Sequence, residues 1–142
     1  MKKIKKKYIL ILIAVFSFQF SYSQISVSYF GNSNLSKVGV GYDFNAKLWT
    51  ELRIYSGTTI DEITPEVVLN YNFMNKENYK MYVGGGVVIN YFNGIVSQVG
   101  AQIMPFEKLK NFSFHIELQP QYNLDFEDIY IYGYGGIRYK FD

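Results

Sequence analysis

The most regular stretch of the chain is residues 112–124, FSFHIELQPQYNL, in which apolar and polar positions alternate without a break. The even positions from Phe112 to Leu124 are apolar or aromatic, and the odd positions from Ser113 to Asn123 are polar. Successive side chains of a strand point to opposite faces, so this pattern predicts a β-strand between an apolar and a polar medium. At ~3.3 Å per residue it would reach ~43 Å, which suits a tilted membrane strand.

The same alternation recurs along the chain after Gln24, and no stretch there has a sustained helical period. The connections between the alternating segments are short and turn-like. The pattern therefore predicts an all-β fold: a single eight-stranded antiparallel up-and-down transmembrane β-barrel. The predicted strands are Ile25–Phe30, Val38–Phe44, Leu48–Tyr55, Glu66–Phe73, Tyr79–Tyr91, Ile95–Met104, Phe112–Leu124 and Ile129–Phe141.

Two details of the strands stay open at the level of sequence. A bulge at Gly135-Gly136 would swap the facing of Tyr130, Tyr132 and Tyr134. A two-residue turn at Asn93-Gly94 would set Gln98 on the apolar face.

A three-residue loop, Phe92-Asn93-Gly94, would instead pair Tyr91 with Ile95 and keep every side chain on its proper face. We favour the second arrangement, because a one-residue slip reverses the facing of a whole strand.

The start of the chain has the order of a secretory signal peptide. Met1–Lys7 holds five lysines, residues 8–20 are almost wholly apolar, and Ser21 and Ser23 precede a cleavage site before Gln24. An apolar run of this length is too short to span a bilayer as a helix. We therefore predict a cleaved signal peptide at 1–23 and a barrel domain at 24–142.

Cleavage would change the charge of the protein. It removes five of the 14 basic residues and none of the 12 acidic ones, so the formal net charge goes from +2 to −3. A nucleic-acid partner therefore loses its main support. The chain has no cysteine, which excludes disulfides, thiolate sites and a lipoprotein signal.

The charged residues inside the strands indicate which face is exterior. All of them lie on the polar face, which is otherwise filled with Gln, Asn, Ser, Gly and Tyr. A soluble exterior would carry roughly 25–35% charged residues, so this face suits a crowded lumen better. Eight strands leave a lumen that side chains fill, so we expect no open pore. The predicted polar network of the lumen is Glu51, Arg53, Glu66, Lys80, Gln98, Gln102, His115, Glu117 and Arg138.

The opposite face would then contact lipid. Leu69, Val83, Val99 and Ile116 are expected on the exterior near the bilayer centre. Aromatic residues recur near strand ends, where they would form interfacial girdles. These aromatics are Phe44, Trp49, Tyr55, Tyr71, Phe73, Tyr79, Tyr91, Phe112, Tyr122 and Tyr139.

In this pattern the chain resembles the small eight-stranded outer-membrane β-barrels of Gram-negative bacteria, the group of OmpX and the OmpA transmembrane domain. Its ending, with Ile137, Tyr139 and Phe141 in alternation, resembles the C-terminal strand that barrel-insertion machinery recognises. The resemblance implies localisation in the outer membrane. It also implies contact with outer-membrane lipid and lipopolysaccharide, transient contact with the barrel-assembly machinery, and no cofactor.

Candidate chemistry is sparse. Ser113, His115 and Glu117 share one face of one strand, and some small outer-membrane barrels modify lipid A, but same-face neighbours lie ~7 Å apart. A nucleophile and its base must approach to ~3 Å, so we predict no catalytic residue. The loop acids match no calcium-loop spacing, and we predict no metal site. These acids are Asp61, Glu62, Asp125, Glu127 and Asp128.

The sequence thus favours a non-enzymatic outer-membrane barrel with an envelope-structural or surface-interaction role. The alternatives are a lipid A-modifying enzyme (acyl hydrolase or transferase) and a soluble periplasmic lipocalin-like barrel that binds an apolar ligand. With Asp125–Asp128 as the last turn, Glu117 would lie opposite or diagonal to Arg138. We therefore expect a Glu117–Arg138 ion pair in the lumen.

Overall fold

The computed structural model describes residues 24–56, 63–89 and 93–141. They form a closed barrel in which each strand pairs antiparallel with the next and the last strand pairs with the first. The predicted all-β, up-and-down architecture is therefore confirmed. Among these residues no helix has the length and apolar character needed to cross a membrane. The strands are β1 (Ile25–Gly31), β2 (Ser36–Asp43), β3 (Leu48–Tyr55), β4 (Pro65–Asn75), β5 (Tyr79–Val88), β6 (Gly94–Ile103), β7 (Phe112–Asn123) and β8 (Asp128–Lys140).

The barrel is apolar outside and polar inside. Burial alternates along the strands, and the exposed residues of each strand are mainly Val, Leu, Ile, Tyr and Phe. Leu69, Val83, Val99 and Ile116 all lie on this exterior, as predicted. The inward positions carry Ser, Asn, Gln, Glu, Lys and Arg together with a few large rings. This distribution is the reverse of a soluble barrel, whose core would be apolar.

The connections define two rims. The terminal rim holds the start of β1, the end of β8 and the connections 44–47, 76–78 and 104–111. The distal rim holds the connections 32–35 and 124–127 and the described residues 56, 63–64, 89 and 93. Near the start of three of these turns lies an asparagine whose Oδ1 accepts two backbone N–H groups, at Asn32, Asn45 and Asn123. Such side-chain bonds replace missing ladder bonds and fix where each turn starts.

The aromatic girdle is only partly as predicted. At the terminal rim the outward rings pack in pairs, such as Tyr42 with Phe44 and Tyr139 with Phe141, at centroid separations of 5.4 and 5.3 Å. Trp49 was placed in the girdle wrongly, since it is buried in the lumen. Tyr55 is wrong for the same reason. Both have odd residue numbers, and the odd-numbered residues of β3 face the lumen. Their facing is decided by this alternation and not by their nearness to a strand end.

The last strand has no bulge at its glycine pair. Its register with β7 and with β1 is continuous through Gly135 and Gly136. Tyr130, Tyr132 and Tyr134 therefore share the inward side with Arg138, and only Tyr134 is deep enough to be buried. The one register shift between β4 and β5 falls at Asn72/Met74.

The pairing of β5 with β6 differs from the prediction. Val87 pairs with Ile95, whereas we expected Tyr91 opposite Ile95, so the strands are displaced by four residues. β5 ends at Val88, and Gly94 is the first residue of β6 rather than part of a tight loop. Tyr91 lies outside the described residues. Because four is an even number, each side chain keeps its predicted face.

The predicted Glu117–Arg138 pair is wrong. Glu117 pairs with Tyr134, and Arg138 pairs with Ser113. The turn comprises Leu124–Glu127 instead of starting at Asp125, because the Asn123 side chain caps it and Glu127 takes a positive φ of 55°. The observed register therefore differs from the predicted one by an even number of residues. Both side chains stay in the lumen but lie at different heights along the barrel axis.

Candidate functional site

Five charged side chains meet in the lumen with no exposure to solvent. We call Lys37, Glu51, Arg53, Glu66 and Glu117 the lumen cluster. They come from β2, β3, β4 and β7, four strands that only the closed barrel brings together. Since each is an inward position of its strand, the alternation of the sequence is what places them there.

Arg53 is the centre of the lumen cluster. Its Nε donates to Glu51 Oε1 at 2.5 Å, while Nη1 and Nη2 donate to the two carboxylate oxygens of Glu117 at 2.6 and 2.8 Å. Nη1 also reaches Glu66 Oε1 at 3.2 Å. The guanidinium carbon lies 4.4 Å from the ring centroid of Phe30. A planar fork with several donors is the cation suited to hold three carboxylates at once.

Lys37 is the second cation, and sequence reasoning missed it. Its Nζ donates to Glu66 Oε1 at 3.0 Å and to Gln119 Oε1 at 2.7 Å, and it lies 4.1 Å from the centre of the Tyr134 ring. The predicted second strand started at Val38, whereas β2 starts at Ser36. The sequence did contain a signal for it. Lys37 is separated from Gly39 and Gly41 by an even number of residues, so it shares their inward face.

Each carboxylate of the lumen cluster also accepts one hydroxyl hydrogen bond. Ser28 Oγ donates to Glu51 at 2.9 Å. Tyr55 Oη donates to Glu66 at 2.9 Å, and Tyr82 Oη donates to Glu117 at 2.5 Å. Charges removed from water are tolerated when their lone pairs are satisfied in this way.

This arrangement fills the lumen at the height of the cluster and gives each of its carboxylates a cationic and a hydroxyl partner. With all five groups ionised the cluster has three negative and two positive charges, so its formal charge is −1. A buried ion network is weak evidence for net stability, since desolvation offsets most of the attraction. We expect it instead to select the register of these strands, because a slide that separated Arg53 from its carboxylates would leave buried charges without a partner.

The candidate constellation Ser113–His115–Glu117 is not assembled. His115 packs edge-on against Phe30 at a centroid distance of 5.4 Å and lies 6.0 Å from the Tyr82 ring. Within the described residues neither ring nitrogen has a hydrogen-bond partner, so His115 is bonded to neither Ser113 nor Glu117. The hydrogen bond between nucleophile and base that marks such a constellation is therefore not formed in this structure.

The other residues of the predicted network fall elsewhere in the lumen. Gln98 Nε2 donates to Asn70 Oδ1 at 2.6 Å, and this pair has no bond to the lumen cluster. Arg138 lies toward the terminal rim, where it binds Ser26 Oγ and Asp43 Oδ1 at 2.9 Å each and stacks 4.2 Å over the Trp49 ring. Among the described residues, the predicted polar network is thus divided into separate hydrogen-bonded groups.

Lys80 and Gln102 also lie near the terminal rim, beside Arg138. They pair directly across β5 and β6 in the sheet. Together with Asp43 and Lys140 they line a pocket that the lumen cluster does not share.

The remaining predicted positions are distributed as follows. Ile137, Tyr139 and Phe141 face outward at the terminal rim. Gln24 accepts a 2.8 Å hydrogen bond from Tyr42 Oη, while Ser21, Ser23, Asp61 and Glu62 lie outside the described residues. Asp125, Glu127 and Asp128 are exposed at the last turn. In the part of the chain that is described, no three His, Asp or Glu side chains are grouped as metal ligands.

Comparisons with known proteins bear on the fold. No family model matches the chain, and no curated protein matches it by sequence. A solved structure described as "De novo design of transmembrane beta-barrels" matches with a TM-score of 0.57 and 16% identity, over 82% of this chain and 92% of that chain. This likeness shows the fold, an eight-stranded barrel of the transmembrane type. The resemblance to small membrane barrels is therefore confirmed at the level of architecture.

Proposed function

We propose that this protein is a non-enzymatic β-barrel of the bacterial outer membrane, exported with a cleaved signal peptide, with an envelope-structural or surface-interaction role. The observation that carries the proposal is the combination of an apolar exterior with a lumen closed by the lumen cluster. A lumen filled with side chains supports a barrel without an open pore, and the described residues bring no nucleophile and base together, so both observations favour a role for the outer surface and the rims.

The two alternatives fit the side chains less well. A lipocalin-like carrier needs an apolar cavity, but the lumen here is filled by Arg53, Glu117, Lys37 and their partners. A lipid-modifying enzyme needs an activated nucleophile near the lipid boundary, but His115 is buried among aromatic rings and bound to no serine. The proposed role requires neither feature.

The decisive experiment is to express the whole chain in a Gram-negative host and separate inner from outer membranes. We expect the protein in the outer-membrane fraction, with faster gel migration before boiling than after, because the intact barrel resists detergent. Recovery in the soluble periplasmic fraction would refute the proposal. Lipid A mass spectra that change on expression would instead support the enzymatic alternative.

The same material tests the start of the mature protein. N-terminal sequencing should find Gln24 or a residue close to it, since Ser21 and Ser23 provide the small side chains that a signal peptidase selects. Retention of Met1 in the membrane-inserted protein would contradict the predicted cleavage. Planar-bilayer recordings should show no stable open channel for the wild-type protein.

A further inference from the structure

A pocket at the terminal rim is lined mainly by cationic and amide side chains. Lys80, Lys110, Arg138 and Lys140 supply four positive charges, and Asp43 is the only carboxylate among the lining residues that are described. The cavity measures about 40 Å³. A water needs roughly 10–15 Å³ on the same measure, so this space suits a few waters or one small anionic group.

The single carboxylate cannot neutralise these cations. Asp43 accepts from Arg138 Nη2 at 2.9 Å and from Lys140 Nζ at 2.8 Å, so it is shared by two of them. Lys110 donates to Asn78 Oδ1 at 2.8 Å and is 4.0 Å from the exposed Glu77. Exposed pairs of that kind contribute little. The rim pocket therefore keeps a surplus of positive charge.

Two donors in the rim pocket have no partner. Lys80 is half-buried and, among the described residues, has no hydrogen bond or salt bridge, although it feels the charge of Asp43 across the pocket. Its neighbour across the sheet, Gln102, is only 5% exposed, yet its Nε2 has no hydrogen-bond partner in the described structure. A buried amide without a partner is costly. Such a donor, beside a cation that forms no direct ion pair, indicates a place for an external acceptor.

We propose that the rim pocket binds a phosphate group. Lys80 would supply a charge that no direct ion pair holds, and Gln102 Nε2 would supply a neutral hydrogen bond. Arg138 and Lys140, held in place by Asp43, would supply further donors on the other side of the pocket. The same chemistry is offered by free inorganic phosphate and by the phosphate of a lipid headgroup at the membrane surface. The site is separate from the lumen cluster and does not depend on the proposed envelope role.

The test uses the whole mature barrel, refolded in phosphatidylcholine nanodiscs. Inorganic phosphate is titrated at constant ionic strength, so that general screening stays fixed. Binding is followed by calorimetry and by the NMR shift of the Gln102 side-chain amide. A second series replaces part of the phosphatidylcholine with phosphatidic acid and follows the same amide signal without added phosphate.

Three variants separate a built site from diffuse attraction. Lys80→Gln and Gln102→Met should each weaken binding about tenfold, because each removes a hydrogen bond to an anion. Lys108→Gln removes the same charge from the same rim but outside the pocket, and it should change binding less than about twofold, in line with the small effect of exposed charges. Gln102→Met is informative because the net charge of the protein does not change. Folding of each variant is verified by heat-modifiable migration.

The outcomes are distinct. A saturable response to inorganic phosphate, with the expected order of variants, supports a free anion as ligand. A response of the Gln102 amide to phosphatidic acid alone, weakened about tenfold in Lys80→Gln, supports a lipid headgroup. Equal weakening in Lys108→Gln and Lys80→Gln shows diffuse attraction and overturns the proposal. No response of the Gln102 amide in either series also overturns it.

Discussion

The lumen cluster predicts that loss of Arg53 destabilises the barrel far more than loss of Glu117. Arg53→Met leaves Glu51, Glu66 and Glu117 with Lys37 as the only cation of the cluster, so its formal charge changes from −1 to −2. Breaking a buried ion pair from one side costs about 3–5 kcal/mol. Because three carboxylates lose their common partner, we expect at least the upper end of that range.

Glu117→Gln should be milder. Arg53 keeps Glu51 at 2.5 Å and Glu66 at 3.2 Å, and the new amide oxygen can still accept from Arg53 or from Tyr82. The loss is then of the order of one charge-assisted hydrogen bond, about 1.5–3 kcal/mol. A difference of about 2 kcal/mol between the two variants corresponds to a roughly 30-fold difference in the unfolding equilibrium.

The double variant Arg53→Met/Glu117→Gln tests whether the contributions of these two side chains to stability depend on each other. With Glu117 already neutral, removing Arg53 leaves two carboxylates without their cation instead of three. The combined loss in free energy of unfolding should therefore be smaller than the sum of the single losses by about 1 kcal/mol or more. Glu117→Gln combined with Arg138→Gln is the matched control, because Arg138 binds Asp43 and Ser26 instead of the lumen cluster. That pair should be additive within about 0.5 kcal/mol.

Urea unfolding from detergent micelles, followed by fluorescence, is the appropriate measurement. The chain has one tryptophan, Trp49, and it is buried in the lumen, so its emission reports opening of the barrel. Equal losses for Arg53→Met and Glu117→Gln would refute the central role of Arg53. Strict additivity of their double variant would refute the network itself.

Two further predictions concern the exterior and the lumen wall. Ile116 is 63% exposed on the apolar exterior, so Ile116→Arg should lower the free energy of unfolding in vesicles by ~2–4 kcal/mol. Phe126 is 73% exposed at the distal rim, and the control Phe126→Arg should lower it by less than ~1 kcal/mol. Equal effects of the two variants would contradict a lipid-facing Ile116. A Cβ at Gly100 would lie 2.5 Å from the Tyr82 hydroxyl, so Gly100→Ala should cost ~1–3 kcal/mol by overpacking. This variant is compared by urea unfolding with the control Gly135→Ala, because a Cβ at Gly135 would meet no neighbouring described atom within 4 Å. If Gly100→Ala did not change the free energy of unfolding, the Tyr82 ring would have to be free to move.

The period of the sequence predicts facing but not register. Alternation of period two places Glu51, Arg53, Glu66 and Glu117 in the lumen whichever partner strand residue they meet. Register depends on where each turn starts, and at the last turn that is decided by the side chain of Asn123. Each wrongly predicted strand pairing was therefore displaced by an even number of residues. Such a displacement leaves every side chain on its predicted face, so alternation alone cannot detect it.

The contacts inside the lumen escaped prediction for the same reason. Which carboxylate meets Arg53 depends on the height of β7 relative to β3, two strands that are not neighbours in the sheet. No local pattern contains that information. Lys37 was missed at a strand boundary, where turn residues and the first strand residues have similar composition.

The closure of β1 on β8 has a consequence for how the protein folds. Ser26 and Arg138, which bond across this seam, are 112 residues apart in sequence, and Arg53 and Glu117 are 64 apart. The chain must close these long loops before either contact contributes, and such topologies fold slowly. Until β8 is made, the carboxylates of β3 and β4 have no closed lumen around them. Assembly should thus be all-or-none and follow completion of the chain, which must be kept unaggregated while it waits.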